Sequence, residues 1–305
     1  MRSFILKRAL QSIFSLLALI VLVFFLARAS GSPAELYLPV DASDELKAQF
    51  DAMHGFDQPV LTQFWIFFRQ LLSFDLGTSL QFSRPAIDVV LEAFPTTLAL
   101  AAITMPLVVA ISIVVGSLAA VRPGGIFDRV AGLISLTGAS TPNFWVAIVA
   151  VIVFALHLRL LPTSGTGTPL HWVLPVAVLC LRPTGVLIQV VRTSMMTALA
   201  SAYVKTARAR GASGRAIVFV HALRNSLLPV ITVASDQLAG IVNGAVVVET
   251  VFGFPGIGKL MIDSVLMRDF AVVQAIVIVT ALTVFTINIL VDITYAIIDP
   301  RIRYS

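Results

Sequence analysis

Charge is the first thing this chain lacks. Only 12% of its 305 residues are Asp, Glu, Lys or Arg, against about a quarter in a soluble domain. It holds one cysteine, Cys180, inside an apolar run, which excludes a disulfide framework and a metal–thiolate cluster. There is no H-E-x-x-H, no G-x-S-x-G and no facing pair of carboxylates within the apolar runs, so the familiar hydrolytic arrangements are missing. The four histidines, His54, His157, His171 and His221, are scattered without ligand spacing. The expectation is a protein that is not an enzyme and binds no metal or cofactor of its own. Acidic residues are absent from the whole stretch between Gln189 and Ala234.

What remains is apolar. Hydrophobic residues make up 58% of the chain and the mean hydropathy is +0.97, which defines an all-α polytopic membrane protein. The net charge of +5 and pI near 9.8 would suit a nucleic-acid partner, but the basic residues cluster at the ends of apolar runs. Orientation in the membrane accounts for them, and no nucleic acid is expected.

The first apolar run, 9–27, follows Arg2, Lys7 and Arg8. Ala27-Arg28-Ala29 has the look of a signal cleavage site, yet the run is longer than a signal core of roughly 7–15 residues, so a retained helix is expected. Residues 30–95 are acidic and read as an extracytoplasmic segment, with 60–72 an interfacial or packed helix. Spans are expected at 96–121, 130–156, 172–191, 227–248 and 270–291, with a tight turn at Arg122-Pro123 and outer loops at 160–171 and 249–269. This gives six transmembrane helices with both termini cytoplasmic, because that orientation places Arg2, Lys7, Arg8, Arg122, Arg129, Arg192, Arg301, Arg303 and the central basic loop inside. The domains are then 1–29, 30–95 and a core at 96–305 with a cytoplasmic loop at about 193–228.

Two charges, Arg182 and Asp236, interrupt spans. Each costs several kcal/mol in lipid unless paired or hydrated, roughly 2.5–3.5 by insertion scales. Counted from the cytoplasmic ends, their depths differ by about 5 Å at 1.5 Å per residue. They are expected to form an ion pair between adjacent helices or to line one polar cavity. GFPGIGK (253–259) matches a phosphate-cradling pattern, but Leu260 stands where Ser or Thr must hold magnesium, and no strand precedes it. Its glycines are expected to shape a tight outer loop.

The central loop, 203–232, carries Lys205, Arg208, Arg210, Arg215 and Arg224. A short helix with breaks at Gly211 and Gly214 suits either a partner's groove or anionic lipid headgroups. With it come YVKTARARG (203–211), HALRNSLLP (221–229), GAVVVETVFGFPGIG (244–258) and DITYAIIDPRIRY (292–304). In that order these motifs resemble the dipeptide/oligopeptide/nickel permease family of ABC importers, in particular its first membrane subunit with a large loop after helix one.

The resemblance implies a type I ABC importer membrane domain in the inner membrane of a bacterium, taking up di- and oligopeptides. Nickel chelates, glutathione and opines are the other cargoes it implies. The implied partners are a second permease subunit in a heterodimer, two ATPase subunits carrying ATP and magnesium, an extracytoplasmic solute-binding protein, and lipid. Tyr203, Ala207, Arg208, Ala209, Gly211 and Ala212 would meet the ATPase, with Pro229 opening the next span. Lys205 stands where general importers have Glu, and Gly211 lies farther from Pro229 than usual. Glu249, Phe252, Pro255 and Gly256 would face the translocation mouth. A stand-alone secondary transporter or channel is the alternative from another class; it needs acidic or broken-helix ion sites at the midplane, and only Asp236 is available.

Overall fold

The computed structural model describes residues 2–29, 31–73 and 75–298. The end of the C-terminal motif, with Arg301 and Arg303, lies outside them. In lipid every backbone N–H and C=O needs a partner within the chain, which leaves helices as the simplest solution. Among the described residues the only strand-like pairing is an isolated bridge between Thr78 and Pro85.

The helices begin with α1 (Arg2–Ala29), α2 (Ala34–Tyr37), α3 (Asp44–His54), α4 (Val60–Leu72) and α5 (Ala86–Val121). Next come α6 (Ile126–Ser140) and α7 (Asn143–Ala150), which continues as a π-helical stretch at Val151–His157. After a loop follow α8 (Pro169–Ala200), α9 (Ala202–Ala209) and α10 (Gly214–Ala216), the last passing through a second π-helical stretch, Ile217–Ala222, into α11 (Leu223–Phe252). The chain closes with α12 (Ile257–Leu266) and α13 (Phe270–Ile298). Among the described residues α5, α8, Gly214–Val242 and α13 can each cross a membrane by length and composition. The bent pairs Ile126–Ser140 with Asn143–His157 and Ala245–Phe252 with Ile257–Leu266 bring the number to as many as six. This six counts the second bent pair, in the stretch expected as an outer loop, and has the first helix only as a shorter apolar one, Phe14–Ala29.

The chain divides into two compact units. The first comprises Met1–Thr96 and Pro255–Phe285. In it α3 starts at Ser43, whose hydroxyl accepts from Leu46 N, and stops at Gly55 in the left-handed region, φ 72°. The apolar helix expected at 60–72 is α4, which buries Gln63 and Phe67. Phe67 packs with Ile20, Phe24 and Ile278. Arg28 continues α1 and is held there: its Nε donates to Gln63 Oε1 at 2.5 Å, and its guanidinium lies 5.0, 5.0 and 4.7 Å from the ring centres of Phe24, Phe56 and Phe270. Each such cation–ring contact contributes about 0.5–2 kcal/mol.

The second unit comprises Thr97–Phe254 and Thr286–Ser305, and α8 is its centre, packed against α6 and α11. Thr168 and His171 cap the start of α8, with Thr168 N donating to His171 Nδ1 at 3.1 Å. Its inner half buries Leu187, Val191 and Met195 against Met105, Val108, Val230 and Ile241. Its outer half buries Leu174, Val178 and Leu179 with Leu100, Val248 and Phe252.

Four expectations change at their edges. The span expected from 96 starts at Ala86, ten positions earlier. The span expected at 130–156 is two helices, α6 and Asn143–His157, bent by 102°. Pro142 has no N–H for the ladder and disfavours helix at Thr141, so the run breaks there. The span expected to end at 191 runs on to Ala200, because TSMMTALA after Arg192 contains no breaker. Finally, the loop expected at 193–228 shrinks to the region of α9, since residues 214–252 are continuous helix; Pro229 lies inside α11 and does not start it.

At the inner end of this unit a carboxylate ties α6 to α8. Asp128 Oδ2 accepts from Gly124 N and from Arg192 Nη2, both at 2.8 Å, while Oδ1 accepts from Arg192 Nε. The bond to Gly124 also fixes the turn, where that glycine has φ +78°. Asp128→Ala removes both contacts, whereas Arg192→Ala leaves the turn bond intact. Thermal unfolding of the purified chain is expected to show Asp128→Ala as the worse of the two, with a loss of about 2–3 kcal/mol against about 1–2 for Arg192→Ala. Equal losses would mean the turn bond contributes nothing.

Candidate functional site

The basic segment is a short helix held at both ends. Ser201, in extended backbone, ends α8 and starts α9. Three bonds close the far end: Arg210 N to Thr206 O at 3.0 Å, Gly211 N to Arg208 O at 3.0 Å and Ala212 N to Ala207 O at 3.1 Å. The last two, with Gly211 at φ +82°, form a Schellman cap, which favours glycine because the left-handed conformation crowds a Cβ. Ser213 then caps the next turn, its Oγ accepting from Ala216 N at 3.3 Å.

One face of α9 is anchored and the other is presented. Val204 is 0% exposed, and the helix packs on α8 and on the π-helical stretch before α11. Ala207 and Ala212 are half-buried; Tyr203, Lys205, Arg208, Ala209, Arg210 and Gly211 are exposed. Among the described residues no ion pair involves Lys205, Arg208, Arg210, Arg215 or Arg224. Beside this face lies a hollow of about 650 Å³, walled by Val121, Pro123, Met196, Leu199, Ile217 and Val218, with Arg208 and Ala212 at its rim. Of the six residues expected to meet a partner, Tyr203, Ala207, Arg208 and Ala209 lie on α9, and Gly211 and Ala212 lie in the cap that ends it.

Arg182 and Asp236 also converge, though not as an ion pair. Both are exposed and line a single cavity of about 310 Å³ with Asn143, Leu179, Pro183, Gln237 and Gly240. Among the described residues no contact within 4.0 Å joins the two charges. Of the two arrangements expected, the structure contains the shared polar cavity.

The outer loop expected at 249–269 is mostly helical. Glu249 lies within α11, is 0% exposed, and accepts a hydrogen bond from Thr97 Oγ1 at 2.6 Å. A buried carboxylate needs such donors, since burial without them costs several kcal/mol. Phe252 is likewise buried, among Leu174, Val248 and Phe254, and its carbonyl accepts from Gly165 N at 2.9 Å. Gly253, at φ +63°, ends α11. Pro255 is exposed, and Gly256 is buried at the start of α12. GFPGIGK thus follows a helix, which removes the strand a phosphate loop requires.

Several contributors carry no signature in the sequence. Asn143 and Gln237 reach the cavity only through the break at Pro142 and the packing of α11 on α7. Asp128 and Thr97 find partners 64 and 152 positions away. The proline at 142 was the one available signal.

The helical arrangement is that of an ABC-importer membrane domain. It matches a chain of the MetNI methionine ABC transporter, in an inward-facing conformation, with a TM-score of 0.60 over 69% of this chain and 96% of that one, at 17% identity. Residues 112–304 match the family described as binding-protein-dependent transport system inner membrane component. A peptide transport system permease protein of Brucella abortus (strain 2308) is 35% identical over 100% of both chains. The glutathione transport system permease protein GsiC of Salmonella typhimurium (strain LT2) is 37% identical, again over 100% of both. The chain belongs to this binding-protein-dependent transport family and is a membrane-spanning permease subunit of an ABC importer, not a transporter of the stand-alone class.

Proposed function

We propose that this chain imports short peptides across the inner membrane of a bacterium, as one half of a permease heterodimer served by two ATPase subunits and an extracytoplasmic binding protein. The observation that carries the proposal is the preformed α9, with exposed cations on one side and an apolar hollow beside them. A rigid projection of small and basic residues suits a groove on a soluble partner, where apolar contact gives affinity and charge gives register. The peptide cargo is supported by the Brucella relative. A second cargo, glutathione, is supported by the Salmonella relative and is itself a tripeptide.

In this reading ATP binding closes the ATPases, α9 moves with them, and the paired permeases open outward to receive cargo; hydrolysis resets the state. The chain performs no chemistry, and ATP with magnesium resides on the partners. The inner location of α9 predicts that Arg208 and Arg215 resist probes applied outside intact cells.

Gly211→Asp tests the coupling role. A non-glycine residue at φ +82° costs about 1–2 kcal/mol locally, and the new carboxylate opposes the cationic face. The expected result is that the ATPases still copurify and still hydrolyse ATP while peptide uptake falls about tenfold or more, since loss of one coupling interaction of 1.4 kcal/mol is already tenfold. Unchanged uptake would remove α9 from the transmission path.

A further inference from the structure

We infer that the cavity holding Arg182 and Asp236 recognises the two free ends of a zwitterionic peptide, with Arg182 taking the carboxylate and Asp236 the ammonium group. The inference rests on the peptide reading above and assigns that reading's specificity to particular side chains. Its starting point is an unfavourable arrangement. Arg182 is 13 residues from the outer end of α8 and Asp236 is 16 from the outer end of α11, so both stand well inside their helices. A charge at such depth is costly unless paired or hydrated, and Asp236 Oδ2 accepts a long bond, 3.4 Å, from its neighbour Gln237 Nε2. An ion pair would relieve both, yet no contact within 4.0 Å joins them, although they share one cavity. Two opposite charges kept apart across about 310 Å³ are satisfied together by a molecule carrying the complementary charges at its own two ends.

The rest of the lining supports the assignment. Pro183 lacks an N–H, so the carbonyl four residues earlier, on Leu179, loses its helical donor, and both residues line the cavity. That carbonyl is a second acceptor for an ammonium group. Asn143 adds a neutral donor and acceptor suited to a peptide unit, and Gln237, whose Nε2 donates to Asp236 Oδ2 at 3.4 Å, adds an amide oxygen as acceptor. Gly240 leaves open space, since a Cβ there would meet nothing within 4 Å. Charge of the opposite sense is scarce: no Asp or Glu lies between Asp128 and Asp236, so Arg182 has no acid of its own helix to neutralise it. Loss of one charged hydrogen bond weakens binding about tenfold or more, so one blocked terminus matters.

The test uses the assembled complex in nanodiscs without its binding protein, so that the cavity and not the delivery step is read. Binding of trialanine, its C-terminal amide and its N-acetyl form is followed by saturation-transfer NMR. On the unaltered complex each block is expected to weaken binding about tenfold, the equivalent of 1.4 kcal/mol. Arg182→Gln should abolish the difference between acid and amide while keeping the preference for a free amine. Asp236→Asn should do the reverse, and Arg182→Lys should retain acid preference, showing that a misfolded variant is not the cause. Equal binding of all three peptides, or a uniform loss with Arg182→Gln, overturns the inference. Uptake of trialanine by the complete importer is measured alongside. Uptake without discrimination in the cavity sinks only the present inference, whereas absence of any peptide uptake sinks the peptide reading itself.

Discussion

Gly185→Val is expected to unseat α6 from α8 and to abolish transport. A Cβ at Gly185 would lie 2.6 Å from Ser135 O and 3.0 Å from Ala139 N; one at Gly138 would lie 2.7 Å from Leu181 O. All three are backbone atoms, so no side-chain rotation relieves the clash. The same contact carries a hydrogen bond, Ser135 Oγ donating to Gly185 O at 2.8 Å. Small residues at such crossings are how membrane helices associate, because lipid supplies no hydrophobic drive and close packing must. The valine adds overpacking of about 1–3 kcal/mol and forfeits the hydrogen bond, a further 1 or so. Gly132 is the internal control: it lies on α6, the helix that Gly185 meets, and a Cβ there meets nothing within 4 Å. Gly132→Ala is therefore expected to stabilise slightly, by about 0.5–1 kcal/mol of helix propensity. A thiol-reactive dye reads the result directly, since Cys180 is the single cysteine and is half-buried in α8. If Gly185→Val and Gly132→Ala melt together, close approach at Gly185 is not what holds the pair.

The contrast between those two glycines shows where sequence reading stops. Both sit in apolar helices, and nothing local distinguishes them; only the partner helix does. Periodicity and charge asymmetry were enough for the helical class and the placement of the basic segment, and α4 has the bounds its composition indicates. Gly211 was legible because a left-handed residue has a local chemical cause. The stretch 217–228 was not: His221, Arg224 and Asn225 make it look like a loop, yet Ile217, Ala222, Ser226 and Val230 are buried along one face, as a packed helix requires. Glu249 misled for the opposite reason. Its charge reads as exposed, and the Thr97 hydroxyl that accommodates it lies on another helix. The convergence of Arg182 and Asp236 was legible as similar depth, whereas their separation depends on side-chain directions that depth does not determine.

The second large effect is expected in the other compact unit, from a single carboxylate. Asp269 is 0% exposed and precedes α13. Its Oδ2 accepts from Ser79 Oγ at 2.5 Å and from Gln81 N at 3.1 Å, and its Oδ1 accepts from Val272 N at 3.4 Å. Ser79 in turn shapes the turn before α5: its Oγ accepts from Phe82 N at 2.9 Å and its N–H donates to Arg84 O at 2.9 Å. Asp269→Ala would leave the Ser79 hydroxyl and the Gln81 N–H without an acceptor, at about 1–3 kcal/mol each, and would remove a helix cap contributing about 1. A total near 3–5 kcal/mol is expected, read as a drop in the unfolding midpoint of the purified complex. Asp269→Asn keeps one acceptor oxygen and should lose about half as much. A second readout is independent of stability. The Tyr37 hydroxyl is pushed up to about 12, first by burial and then by the Asp269 charge, so either variant should let tyrosinate form at lower pH. A lowered midpoint with Tyr37 unmoved would assign the loss to the cap and turn alone. An unchanged midpoint in both variants would mean that packing of Phe270 and Val272, and not the carboxylate, fixes the start of α13.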